Sequence, residues 1–477
     1  VLVGTPNSKP LYLQVADQLA DLIAAGSLRM GDRVPSVRRL SRQQNVSIPT
    51  ILRAYMELES RRLIEARPKS GFFVRPRLSE AVAEPSAAPR TAAAPWADFH
   101  PSTPIVRDLS NPAFVPFGGA IPSPELLPMA KLARITGSIA REHSPEVLSY
   151  DPVPGSEKLR REISRRSLDW GCHLGADEFL ITNGATEAIH LALRAVTQPG
   201  DSVLIESPAY YGFIHILNQM GLKAVAVPAQ ARDGLSLEGV EAVLKKRRIA
   251  AILLVPSFSN PLGCLMPEES RRALLQLTEK KDIPIIEDDI YGDLEHEGPR
   301  PRCLKAFDAD GRVILCGSFS KTLAPGYRVG YAAPGRWLNK MVHLKIATNW
   351  GCAPLPSLAV AEFLRNGGYD HHLRTIRRTY RDQVQKMREA VAEAFPAPVK
   401  ISNPRGGFVL WVELPPQVDA MRLFAEARKA GISIAPGPIF SPVGDFSNYI
   451  RLSCGFPWNA KMEAAIGTLG KLIARML

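Results

Sequence analysis

Cysteine is scarce in these 477 residues. The six present (Cys172, Cys264, Cys303, Cys316, Cys352 and Cys454) are scattered, with no C-x-x-C pair. That argues against zinc and against a disulfide framework, and it favours a reducing compartment such as the cytoplasm. Long apolar runs are missing too. None approaches the ~20 residues that cross a bilayer, and no signal-peptide pattern opens the chain, so a membrane is not an expected partner. Acidic residues are the third shortage, 47 against 59 Lys and Arg, for a net charge of +12. The imbalance is local: residues 1–77 hold 13 Lys/Arg and 6 Asp/Glu, leaving a surplus of only five for the other 400. A basic excess in one small segment points to a polyanion, most often nucleic acid, although a basic surface with no partner has the same composition. The rest is ordinary, 45% hydrophobic and 22% charged, and long enough for two or three domains.

Residues 10–25 place Leu11, Val15, Leu19, Leu22 and Ile23 at helical spacing before Gly26. Gly31-Asp32 predicts a turn, and Ser36 is a good N-cap for a helix to about Gln44, with Val37 and Leu40 inward. Asn45-Val46-Ser47 has the length of a turn between crossed helices. A third helix over about 48–61 would bury Ile51, Tyr55 and Leu58, and 61–74 reads as a β-hairpin turning at 67–71. Three helices and a basic hairpin make a winged helix-turn-helix over residues 1–75.

This segment resembles the GntR family of bacterial transcription regulators. The resemblance lies in Gly31-Asp32-Arg33-Val34-Pro35-Ser36-Val37-Arg38-Arg39-Leu40-Ser41, then Val46-Ser47, Thr50, Ala54-Tyr55, Leu58-Glu59 and Leu63-Ile64. It implies double-stranded DNA as partner. A recognition helix enters the major groove by its N-terminal end, which puts Ser47, Pro49, Thr50 and Arg53 near DNA. Arg38 and Arg39 would meet phosphate or base, and Lys69 and Gly71 would form the wing tip, where backbone approaches a minor groove. Ile48 stands where many GntR proteins carry a base-contacting arginine, so that contact is lost or becomes apolar. A small helical dimerisation or docking module is the competing reading.

Residues 76–109 are rich in Pro, Ala and Ser without periodicity and read as a semi-extended linker. Beyond it, over 110–477, apolar runs at Phe179-Leu180-Ile181, Val203-Leu204-Ile205, 250–255, 283–286 and Val313-Ile314-Leu315 alternate with helical patterns. That predicts an α/β domain with a mostly parallel sheet, whose ligands bind at the carboxyl ends of the strands. The polar residues of interest follow those runs. Thr182-Asn183-Gly184-Ala185-Thr186 opens a helix and suits a phosphate. Tyr210, after the second run, offers either a ring face or ordinary packing. Glu287-Asp288-Asp289 lacks the histidine or second acid cluster a metal site needs, so no metal is expected. Lys321, in Gly317-Ser318-Phe319-Ser320-Lys321-Thr322, is a candidate Schiff-base former if buried and a loop residue if not.

In this order and spacing these motifs resemble the fold-type I pyridoxal 5'-phosphate (PLP) enzymes of the class I/II aminotransferase branch, from about Asn111 to the C-terminus. The resemblance implies that Lys321 carries PLP as a Schiff base. Asp288 would pair with the ring nitrogen, Tyr291 and Asn260 with the phenolic oxygen, and Tyr210 would stack on the ring. Ala185, Thr186, Ser318 and Arg328 would hold the phosphate. Tyr150 matches a tyrosine that reaches the partner subunit's phosphate, implying a homodimer, and Arg451 matches the arginine that grips a substrate carboxylate. The 404–408 turn and the strand after it fit the family's smaller C-terminal α+β domain. A GntR head on such a body resembles the MocR-type regulators. The expectation is a PLP-binding transcription factor that senses an amino acid, an amine or PLP itself. The alternative is a working aminotransferase for which the DNA head is secondary.

Overall fold

The computed structural model describes residues 9–29, 31–61, 63–67, 70–75, 83–85, 102–108 and 111–477. The chain divides into two compact units, Val1–Ala81 and Val82–Leu477.

In the first unit, three helices, α1 (Leu11–Ala24), α2 (Val37–Gln44) and α3 (Ile48–Ser60), precede the hairpin of β1 (Ile64–Arg67) and β2 (Gly71–Val74). Ser36 and Ser47 cap α2 and α3, accepting from the backbone N–H of Arg39 and Thr50, and Asn45 takes the left-handed conformation that reverses the chain between them. The core is Val15, Leu19, Leu40, Ile51, Tyr55, Leu58 and Ile64, while Leu11 and Leu22 of the sequence pattern stay exposed. Tyr55 ties the hairpin to the turn before α2: its hydroxyl donates to Pro35 O and its ring meets Phe72 edge-on at 5.0 Å. The hairpin pairs Ile64 with Val74 and Arg67 with Gly71.

The second unit is built on an eight-stranded sheet. Its strands are β3 (Leu180–Thr182), β4 (Ser202–Ser207), β5 (Lys223–Gln230), β6 (Gly234–Leu235), β7 (Ala251–Leu254), β8 (Ile285–Asp288), β9 (Val313–Ser318) and β10 (Gly330–Ala333), in the order β3-β10-β9-β8-β7-β4-β5-β6. The block from β9 to β5 is parallel, β10 runs against β9 and β3, and β6 folds back on β5. Helices cover both faces, which is why the parallel strands are near-continuous apolar runs. Three of the strands lie outside the apolar runs read from the sequence: β5 carries Pro228, β6 is the two-residue Gly234–Leu235, and β10 is Gly-Tyr-Ala-Ala.

A smaller four-stranded antiparallel sheet follows, β11 (Lys400–Ile401), β12 (Val409–Glu413), β13 (Ala435–Pro436) and β14 (Tyr449–Ser453), ordered β11-β12-β14-β13. The segment at Val115–Pro116 pairs with Ile432–Ser433 beside it. The linker expected over 76–109 falls largely outside the described residues, and its end departs from the expectation. Ser102–Asp108 is helical because Ile105 is buried in the core and Asp108 makes a two-pronged pair with Arg428 at 2.8 and 2.9 Å.

Candidate functional site

Five strands of the main sheet deliver polar residues to one end. Asn183 and Gly184 follow β3, Tyr210 follows β4, Asn260 follows β7, Asp288 closes β8 with Tyr291 just beyond, and Ser318 closes β9 with Lys321 three residues on. They surround a cavity of about 450 Å³ whose lining includes Ala185, Thr186, Tyr210, Asn260, Asp288, Tyr291, Ser318, Ser320, Lys321 and Arg328. Strand alternation explains why only one of three adjacent acids faces it. Glu287 points away and accepts from the backbone N–H of Leu304 and Lys305, and Asp289 pairs with Arg300. Among the described residues no group of three or more His, Cys, Asp or Glu is placed to hold a metal ion.

Burial sets the charges. It lowers the Lys321 ammonium from 10.5 to about 8, with Arg451 pushing the same way and Asp288 opposing. Its Nζ donates to Ala120 O at 2.7 Å. Burial likewise raises Asp288 to about 7, helped by the charge of Asp289. It pushes the hydroxyls of Tyr210 and Tyr291 well above their ordinary range. Asp288 Oδ1 and Asn260 Oδ1 are buried without a hydrogen-bond partner among the described residues. Buried orphans of this kind are costly, so this end of the sheet is shaped to receive a polar group.

An anion cradle adjoins the lysine. Helix α4 (Ala185–Val196) starts at the cavity, and Gly184 before it has φ +84°, a conformation that favours glycine. A Cβ at Gly184 would also collide with the Arg328 guanidinium. Arg328 itself is held in the left-handed region at φ +53°. Its Nη1 donates to Ser320 Oγ at 3.1 Å and its Nη2 to Asn183 O at 3.3 Å. A non-glycine residue kept in that conformation by its surroundings is characteristic of functional sites.

Arg451, in the middle of β14, is fully buried. Its Nη2 donates to Gly118 O at 2.7 Å, while Nε and Nη1 have no partner among the described residues. Its charge is felt at Lys321, Tyr210 and Tyr291. Tyr150 lies elsewhere, 84% exposed on the surface. The sequence reading passed over Ser320 and the backbone carbonyls of Asn183, Gly118 and Ala120. Ser320, one residue before the lysine in a polar turn, was within its reach; the carbonyls carry no sequence signal.

On the head, Arg38, Arg39, Ser47 and Pro49 are exposed and Thr50 is half-buried. The guanidinium of Arg53 lies over the Tyr12 ring at 4.4 Å. Gly71 opens β2 at φ +104°, and Arg33, absent from the expected set, sits about where its side chain would be. Lys69 lies outside the described residues. Ile48, Leu52 and Met56 form an exposed apolar line along α3.

The family of class I and II aminotransferases matches residues 122–469, and the gntR family of bacterial regulatory proteins matches residues 11–74. The chain is similar to the uncharacterized HTH-type transcriptional regulator YjiR of Escherichia coli, at 38% identity over 98% of this chain and 99% of that one. It is also similar to the 2-aminoadipate transaminase of Thermus thermophilus, at 33% identity over 78% of this chain and 93% of that one. Among solved structures, the α-aminoadipate aminotransferase LysN of Thermus thermophilus, complexed with N-(5'-phosphopyridoxyl)-L-leucine, superposes with a TM-score of 0.73. Its identity is 31%, over 78% of this chain and 95% of that one.

Proposed function

The chain belongs to the class I and II aminotransferase family and carries a gntR-family DNA-binding head, and from that premise we propose that the cavity around Lys321 senses an amino acid. The protein is a PLP-dependent, DNA-binding transcription regulator of MocR type. When bound, PLP supplies an aldehyde carbon and an electron-accepting ring.

The residues fit that cofactor. Lys321, half neutral near pH 8, would anchor it covalently. Oδ1 of Asp288, which has no partner among the described residues, would face the ring nitrogen and hold a proton there, and Asn260 and Tyr291 would fix the phenolic oxygen. Tyr210 would cover a ring face. Ala185, Thr186, Ser318 and Arg328 would hold the phosphate, with Ser320 orienting Arg328. The observation that carries the amino-acid reading is Arg451: a buried guanidinium with two unpaired nitrogens beside an amine-binding lysine calls for a carboxylate. The effector would then shift the balance between two arrangements of the protein that hold DNA differently. Action in the cytoplasm and assembly as a homodimer belong to the same proposal.

A second reading, a catalytically competent aminotransferase, has an observation in its favour: Lys321, Asp288, Tyr291 and Asn260 line one cavity, and the relative at 33% identity is a transaminase. Gel shifts on promoter DNA, run beside a transamination assay with the same amino acids, separate the two. Ligand-dependent DNA binding with slow turnover supports sensing, and fast turnover with no effect on DNA supports the enzyme. Two variants test the parts. Lys321→Ala should lose the borohydride-reducible adduct, and an adduct trapped on another lysine overturns the assignment. Arg38→Ala should weaken DNA binding and lower its salt slope by about one while PLP is retained; unchanged affinity removes Arg38 from the interface.

A further inference from the structure

The helix that opens at the anion cradle carries an acid in its first turn. Glu187 is mostly buried, its side chain 11% exposed. Its Oε2 accepts from the backbone N–H of Asn183 at 2.6 Å and from Asn183 Nδ2 at 3.2 Å. It thus holds the turn whose carbonyl receives Arg328. The same carboxylate works against an anion, because it sits at the positive end of α4 and repels negative charge brought there. Its compensation comes from far along the chain. Lys345, on the helix Leu338–Asn349, is 1% exposed and places Nζ 3.0 Å from Glu187 Oε2. Lys345 also donates to Asn349 Oδ1 at 3.1 Å, and the Asn349 amide donates to Glu187 Oε1.

We infer that Glu187 and Lys345 are positioning residues of the phosphate site: the carboxylate fixes the Asn183–Gly184 turn, and the lysine cancels the charge that would otherwise oppose a phosphate dianion. The inference rests on the reading of this cavity as the PLP site. It separates two demands on one loop, rigidity from a hydrogen-bonded acid and electroneutrality from a distant lysine. A buried ion pair serving stability alone would make no distinction between ligands with and without a phosphate.

The test compares PLP with pyridoxal, which has the same ring and aldehyde and no phosphate, in equilibrium titrations of the full chain followed by visible absorbance. Lys345→Met should lower PLP affinity at least about tenfold while pyridoxal changes by no more than about twofold. Glu187→Gln keeps an acceptor for Asn183 N–H and leaves Lys345 uncancelled, so PLP should bind as tightly or more tightly relative to pyridoxal. The double variant Glu187→Gln with Lys345→Met should recover most of the loss seen in Lys345→Met. Should Lys345→Met fail to fold, Glu187→Gln and the double variant carry the comparison. Equal losses for both ligands, or PLP affinity unchanged in a folded Lys345→Met, overturn the inference. If the wild-type chain itself holds no PLP, the parent reading fails instead.

Discussion

Lys321, half-buried, and Arg451, fully buried, are two cations that feel each other's charge, and each makes a sharp expectation. The Lys321 amine is lowered to about 8, so its neutral, nucleophilic form grows in through that pH. Capture of PLP by the cofactor-free protein, followed by stopped-flow absorbance, should therefore rise with a midpoint near pH 8; a midpoint near 10 would mean the lysine is solvated. The folded pKa lies below the ordinary value, so the stability tied to the neutral amine is complete above 10.5 and lost as pH falls through about 8. Asp288 has the opposite sign. Its pKa is raised to about 7, so its contribution is present below the ordinary 3.8 and lost as pH rises through about 7. For Arg451, replacement by methionine removes an incompletely paired buried charge. Arg451→Met should bind carboxylate-bearing ligands about 10–100-fold more weakly, yet its ligand-free melting temperature should match or exceed that of wild type. A large fall in melting temperature would show that the arginine is structural.

Elements show what the sequence could carry. Asp288 and Lys321 were legible because each ends or follows an apolar run, and an α/β sheet sends such residues to one place. Arg451 follows no such rule: it lies mid-strand between Ile450 and Leu452, and only resemblance to a family marked it. Glu187 and Lys345 were not legible at all, since 158 residues separate two ordinary helical charges. The helix Ser102–Asp108 escaped for a related reason, because tertiary burial of Ile105 and the pair to Arg428 stabilise a segment too short for a periodic signal. In the head, the N-cap Ser36 announced its helix in the sequence, whereas Ser47, read there as the end of a turn, proves to cap α3. Helix α3 presents Ile48, 45% exposed, in its first turn. An apolar side chain there suits a thymine methyl group. Ile48→Arg should shift the preferred base at one operator position toward guanine in a selection from randomised sites, and an unchanged profile would place Ile48 outside the readout.

At the scale of the whole molecule, the second unit leaves part of its surface unfinished. Leu148 is 86% exposed and Tyr150 84%, and Asp151–Pro152 pairs with Gly351–Cys352 directly after the half-exposed Trp350. Such a patch suits a second copy of the chain. Leu148→Asp with Trp350→Asp should convert the proposed homodimer to monomer in sedimentation velocity, and an unchanged dimer would move the interface elsewhere. Within the same unit, Gly118 and Ala120 use their carbonyls to occupy both cations, Arg451 and Lys321. One short segment therefore acts as a built-in competitor for the cavity. A ligand that takes both cations strands two carbonyl oxygens together, at about 1–3 kcal/mol for each left buried and unpaired. Movement of the segment would relieve that cost, and it is continuous with Val115–Pro116, which pairs with Ile432–Ser433 beside the smaller sheet. Occupancy of the cavity would then be felt as a shift of backbone at the edge of the smaller sheet, a signal that a proposed sensor could pass on.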